Sequence, residues 1–137
     1  MKWLMLRGEW DSNNKRNARD KTDVWLQLFE GLVGDGKGTV WYKGKGCHEK
    51  YSDNIKLTTE VPHKQFDYVF ARGAHPYYKS ILKKQKGFKI RYGAGRRYYP
   101  KECIKYNLIL VDDEQQRDKV IEKYPQARLW LKPAPRQ

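Results

Sequence analysis

Arginine and glycine recur together along this chain in a pattern suited to capturing anions. Three clusters carry it: Arg7-Gly8-Glu9, Arg72-Gly73-Ala74-His75 and Gly93-Ala94-Gly95-Arg96-Arg97. Glycine lets the backbone approach a ligand closely, and exposed N–H groups at helix starts favour negative charge. Arginine adds a planar fork that grips phosphate or carboxylate through two bonds at once. A fourth cluster, Asp112-Asp113, is acidic. These clusters are far apart in sequence, so they form one site only if the fold delivers them to a common edge.

The apolar patterning predicts such a fold. Residues 2–8 read as a buried strand, a short apolar run that stops at a glycine. Residues 9–20 are polar and read as a loop. Over residues 22–33 the period changes to that of a helix, with Val24, Trp25, Leu28, Leu32 and Val33 on one face and Gly34-Asp35-Gly36 ending it. Strands are then expected at 39–42, 55–61 and 66–71. Pro76 opens a second helix whose inner stripe is Tyr78, Ile81 and Leu82, closed by Gly87. Strands at 88–92 and 107–111 follow. A third helix is capped from Asp112 or Asp113 and buries Val120, Ile121 and Tyr124; Pro125 ends it, and a last strand covers 127–131.

Strands alternating with helices specify an α/β, Rossmann-like domain: a mostly parallel sheet with helices on both faces. Residues 1–132 read as that single domain, and 133–137, with Pro133 and Pro135, as the start of a linker or C-terminal tail. In a parallel sheet every carboxyl end lies on one edge, where ligands bind. Arg7, Gly8, Arg72, Gly73, Gly93, Gly95, Arg96 and Arg97 would then share a rim as ligand-binding residues. The same residues also permit a plainer reading, in which the glycines only make turns and the arginines only meet solvent.

Composition narrows the class. The net charge is +13 over 137 residues, and from Arg72 to Lys105 eleven Lys or Arg stand against the single acid Glu102. That concentration predicts a face attractive to phosphates, nucleic acid or anionic lipid headgroups. Five Trp, ten Tyr and four Phe supply core material and argue against a disordered basic tail. Cys47 and Cys103 form no CxxC pattern, and Cys47-His48 has no third ligand nearby, so no metal site is expected. His48 and His63 fall in loop-like stretches. The short apolar run Trp3-Leu4-Met5-Leu6 is no signal peptide, and no stretch approaches membrane-spanning length. A cytoplasmic protein is the expectation.

Two longer stretches carry a family resemblance. Arg91-Tyr92-Gly93-Ala94-Gly95-Arg96-Arg97-Tyr98-Tyr99-Pro100 and Leu108-Ile109-Leu110-Val111-Asp112-Asp113-Glu114-Gln115 are similar to segments of GT-B glycosyltransferase-like proteins of the phage and metagenomic type. Leu4-Met5-Leu6-Arg7-Gly8 and Leu131-Lys132-Pro133-Ala134 are similar to the same group. The resemblance implies the N-terminal, acceptor-side domain of a two-domain enzyme. A C-terminal Rossmann-like donor domain, in the same chain or separate, would bind a nucleotide sugar as donor substrate. No tightly bound cofactor or metal is implied, and the chain alone is expected to be inactive. In inverting relatives a base often comes from the first strand's loop, where Glu9, Asp11 and Asp20 are the acids; His75 is a further candidate.

Two other readings start from the same residues. One is a non-enzymatic nucleic-acid-binding module, in which Lys83, Lys84, Lys86, Lys89, Arg91, Arg96 and Arg97 meet phosphates while Tyr92, Tyr98 and Tyr99 stack on bases. No helix-turn-helix, zinc-finger or RNP signature accompanies it. The other is a domain that pairs with a separately encoded partner half.

Overall fold

The computed structural model describes residues 1–10, 23–73, 75–92, 106–111, 118, 122 and 129–131. Strand β1 (Lys2–Glu9) leads to helix α1 (Val24–Val33) and strand β2 (Lys37–Lys43). Strands β3 (His48–Ser52) and β4 (Ile55–Thr58) form a hairpin, and β5 (Tyr68–Arg72) follows. A 3-10 turn at Pro76–Tyr78 runs into helix α2 (Lys79–Lys84), and β6 (Phe88–Tyr92), β7 (Leu108–Val111) and β8 (Leu129–Leu131) complete the order. All eight strands lie in one sheet, in the order β3-β4-β2-β1-β5-β6-β7-β8. Every neighbouring pair is parallel except β3 with β4. This is the expected α/β, Rossmann-like architecture.

Burial explains why the central strands read as unbroken apolar runs. A parallel strand is covered on both faces. In β1, Met5 faces Leu26, Phe29 and Val33 of α1, together with Val40, Tyr42 and Phe70. Leu4 and Leu6 face the other way, onto Tyr78, Ile81 and Leu82 of the α2 segment, with Val69 and Ala71. Period-two alternation thus feeds two cores, one per face, and a helix covers each. The expected stripe Tyr78, Ile81 and Leu82 is buried as read from sequence. No helix among the described residues is long and apolar enough to cross a membrane.

Some expectations need correction. The inner face of α1 is Leu26, Phe29 and Val33; Trp25 and Leu28 flank it, while Val24 and Leu32 are exposed. Two apolar stripes interleave in this helix, and Gly38 of β2 selects between them. A Cβ there would stand 2.8 Å from the Phe29 ring and 2.9 Å from a Val33 methyl, so Gly38 makes the hollow that these side chains fill. His48, placed in a loop by sequence, begins β3. That edge strand buries only Tyr51 among its five residues, so it has no apolar run to announce it. The strand expected at 55–61 ends at Thr58. Helix α2 closes at Gln85, two residues before Gly87. The third expected helix falls almost wholly outside the described residues.

Candidate functional site

The chain leaves β1 through α1 to β2 on one side, and later returns to β5 on β1's other side. The connections from these adjacent strands therefore diverge, which opens a crevice outside their carboxyl ends. A cleft of about 340 Å³ lies there. Arg7, Gly8 and Glu9 line it from the end of β1, Asp23 from the start of α1 and Tyr42 from β2. Arg72, His75 and Tyr77 complete it from β5 and the turn beyond.

A β-bulge positions Arg7. Leu6 stands opposite Trp41 and Gly8 opposite Tyr42, which leaves Arg7 without a counterpart in β2. Such an extra residue bends a strand and re-aims its side chain. Gly8 follows at φ 127°, which a side chain would strain. The freed guanidinium reaches Asp23, Nη2 to Oδ2 3.1 Å. Asp23 is also the N-cap of α1: its Oδ1 accepts from the N–H groups of Trp25 (2.9 Å) and Leu26 (3.3 Å). One carboxylate thus starts the helix and holds the arginine.

The other wall is aromatic. His75 stacks on Tyr77 with ring centroids 4.9 Å apart, and it meets Tyr78 edge to face at 5.2 Å between centroids. Lys43 Nζ sits 4.7 Å from the Tyr77 ring centre, and the Arg72 guanidinium sits 5.1 Å from that of Trp25. The Tyr78 hydroxyl donates to the Arg72 carbonyl at 3.2 Å, tying the turn to the end of β5.

Protonation states follow from these surroundings. Burial lowers the His75 pKa, the Arg72 charge lowers it further, and Glu9 works in the opposite direction. Burial, with help from Glu9, pushes Tyr77 up to about 12. Burial also raises Tyr42. At neutral pH the cleft therefore presents a neutral imidazole, able to accept a proton, beside phenols that donate. Among the described residues the hydroxyls of Tyr42 and Tyr77 and the Nε of Arg7 are buried without a hydrogen-bond partner. Unmatched buried donors are rare because each forgoes its bond to water. Three around one cleft suit a ligand rich in acceptor oxygens.

The depressed His75 pKa has a consequence for stability. In the unfolded chain the imidazole takes up its proton near pH 6.5, but the folded protein resists until lower pH. Between those points the unfolded state holds more protons, so stability falls on acidification and recovers as pH rises through 6.5. His75→Gln is expected to flatten that part of the curve, measured by urea denaturation from pH 5 to 8. An unchanged slope would show that His75 titrates normally in the fold.

The structure thus brings together six residues marked in the sequence. Arg7, Gly8, Glu9, Arg72 and His75 line the cleft, and Gly73 adjoins it; a Cβ on Gly73 would lie 3.6 Å from His75 Nε2. Asp11, Asp20, Gly93, Gly95, Arg96, Arg97, Asp112 and Asp113 lie outside the described residues. Arg91, assigned by sequence to a phosphate-binding surface, is 1% exposed with its guanidinium 5.9 Å from the Tyr106 ring centre, so it does not belong to that surface. Sequence reasoning alone does not mark Asp23, Tyr42 or Tyr77 as site residues. Asp23 had a signal, since an Asp directly before an apolar periodic run marks a helix N-cap. Among the described residues no three His, Cys, Asp or Glu side chains gather as metal ligands would. Compared with known protein families, curated proteins and solved structures, the chain matches none.

Proposed function

We propose that the chain is the acceptor-side half of a glycosyltransferase, with the β1–β5 cleft seating a hydroxyl-bearing acceptor. His75 lining the same cleft as the buried, unmatched donors of Arg7, Tyr42 and Tyr77 is the observation that carries this reading, and burial together with the Arg72 charge favours the neutral imidazole. Those donors fit the oxygens of a sugar or a similar polyol. His75 takes the proton of the attacking hydroxyl, whose oxygen bonds to the donor sugar's anomeric carbon as the bond to the nucleotide's terminal phosphate breaks. Glu9, whose charge favours protonated His75, stabilises the imidazolium that results. The nucleotide sugar is held by a second Rossmann-like domain, in the same polypeptide or encoded separately.

Incubated alone with nucleotide sugars, the chain is expected to release no sugar, whereas with its donor half it transfers. In that pairing His75→Gln should lower kcat by about 10² to 10⁴. Transfer by the isolated chain would overturn the division into halves. A His75→Gln rate equal to the wild type would remove the proposed base.

A further inference from the structure

A second and larger cavity, about 580 Å³, lies along α2 on the sheet face away from α1. Its apolar wall is Tyr78, Leu82 and Tyr106, and its cations are Lys79, Lys83 and Lys89. We propose that this cavity binds a small phosphorylated ligand with a flat apolar body. The inference stands apart from the transferase reading.

Charge is the first reason. Lys79 and Lys83 are four residues apart on one short helix, where like charges repel, and Lys89 adds a third cation from β6. Among the described residues the cavity lining includes no carboxylate, and none of the three lysines has an ion-pair partner. A phosphate group turns that mutual repulsion into attraction. Shape is the second reason. The volume lies in the range of small-molecule sites, and the apolar wall of Tyr78, Leu82 and the half-buried Tyr106 suits a flat apolar body. The small cavity favours a mononucleotide-sized ligand over a nucleic-acid strand, which needs an extended groove. His75 lines this cavity as well as the cleft, so an occupant's far end reaches the imidazole.

The test titrates the full chain with AMP, adenosine and inorganic phosphate by calorimetry, with amide NMR shifts locating each ligand. AMP is expected to bind about tenfold or more tighter than either fragment, and Lys83→Ala/Lys89→Ala to weaken AMP by at least about tenfold. Shifts should centre on residues 79–89, and Lys50→Ala, which removes an exposed lysine of β3, should leave AMP affinity unchanged. The proposal is overturned if AMP binds no tighter than phosphate, or if the double variant binds it as the wild type does. Shifts centred on Arg7 and Asp23, or a single-stranded oligonucleotide binding far tighter than AMP, would overturn it too. Lys83→Gln/Lys89→Gln repeats the charge removal with side chains of similar length should the alanine pair lose its fold.

Discussion

Asp23→Ala is expected to lower the unfolding free energy by about 3 kcal/mol, read as a shift in the urea midpoint at constant slope. Two losses add up. The carboxylate's bonds to the Trp25 and Leu26 N–H groups start α1, and a missing N-cap costs about 1 kcal/mol. The same carboxylate is Arg7's partner, in a pair whose side chains are only 17% and 7% exposed. Stranding one member of a buried pair costs about 3 to 5 kcal/mol, reduced here because Arg7 keeps some contact with water. Asp23→Asn separates the two effects, since asparagine caps as well as aspartate but carries no charge. Its loss should be about 1 to 2 kcal/mol. Adding Arg7→Met to Asp23→Asn should restore part of the loss, because no stranded cation then remains. A shift under about 0.5 kcal/mol for Asp23→Ala would mean that the clamp contributes nothing.

The clamp also marks where reading the residues succeeds and where it stops. Strands β1 and β5 are visible because burial on both faces demands continuous apolar residues, as in Trp3-Leu4-Met5-Leu6. Their parallel order followed from alternation with helices, and that order alone was enough to place Arg7, Arg72 and His75 on one rim. The meeting of Arg7 with Asp23 was not visible. It depends on one extra residue in β1 relative to β2, which is a property of the pairing and leaves no trace in either strand. Tyr42 and Tyr77 stayed hidden for another reason. A tyrosine at a strand end or in a turn looks the same whether its hydroxyl faces water, core or cleft. The inward face of α1 is not legible in the helix's own residues, because Gly38 of β2 decides which of two apolar stripes turns inward.

Gly87 stands where the sequence predicts the end of α2, but its surroundings give it a different task. The chain before β5 runs beside the chain before β6, joined by two glutamines. Gln85 accepts from the Phe66 N–H (3.0 Å) and donates to the Lys64 carbonyl (2.7 Å). Gln65 donates to the Lys84 carbonyl (2.7 Å) and accepts from the Lys86 N–H (2.9 Å). The Phe88 N–H then donates to the Asp67 carbonyl at 2.9 Å, which begins the β5–β6 ladder. Gly87 lies between these bonds, and a Cβ there would collide with the Phe66 carbonyl oxygen and stand 2.7 Å from that of Asp67. Both obstacles are backbone, so no side chain can rotate aside. Gly87→Ala must part the two segments, breaking the part-buried bonds of Gln85, itself only 2% exposed. The expected cost is about 3 kcal/mol or more, by thermal or urea unfolding. Gly31→Ala is the matched control. Gly31 lies within α1 with nothing near its absent Cβ, so the same added methyl should stabilise by about 0.5 to 1 kcal/mol. The opposite signs follow from what each methyl meets, and a Gly87→Ala protein as stable as the wild type would mean that the two segments do not run this close.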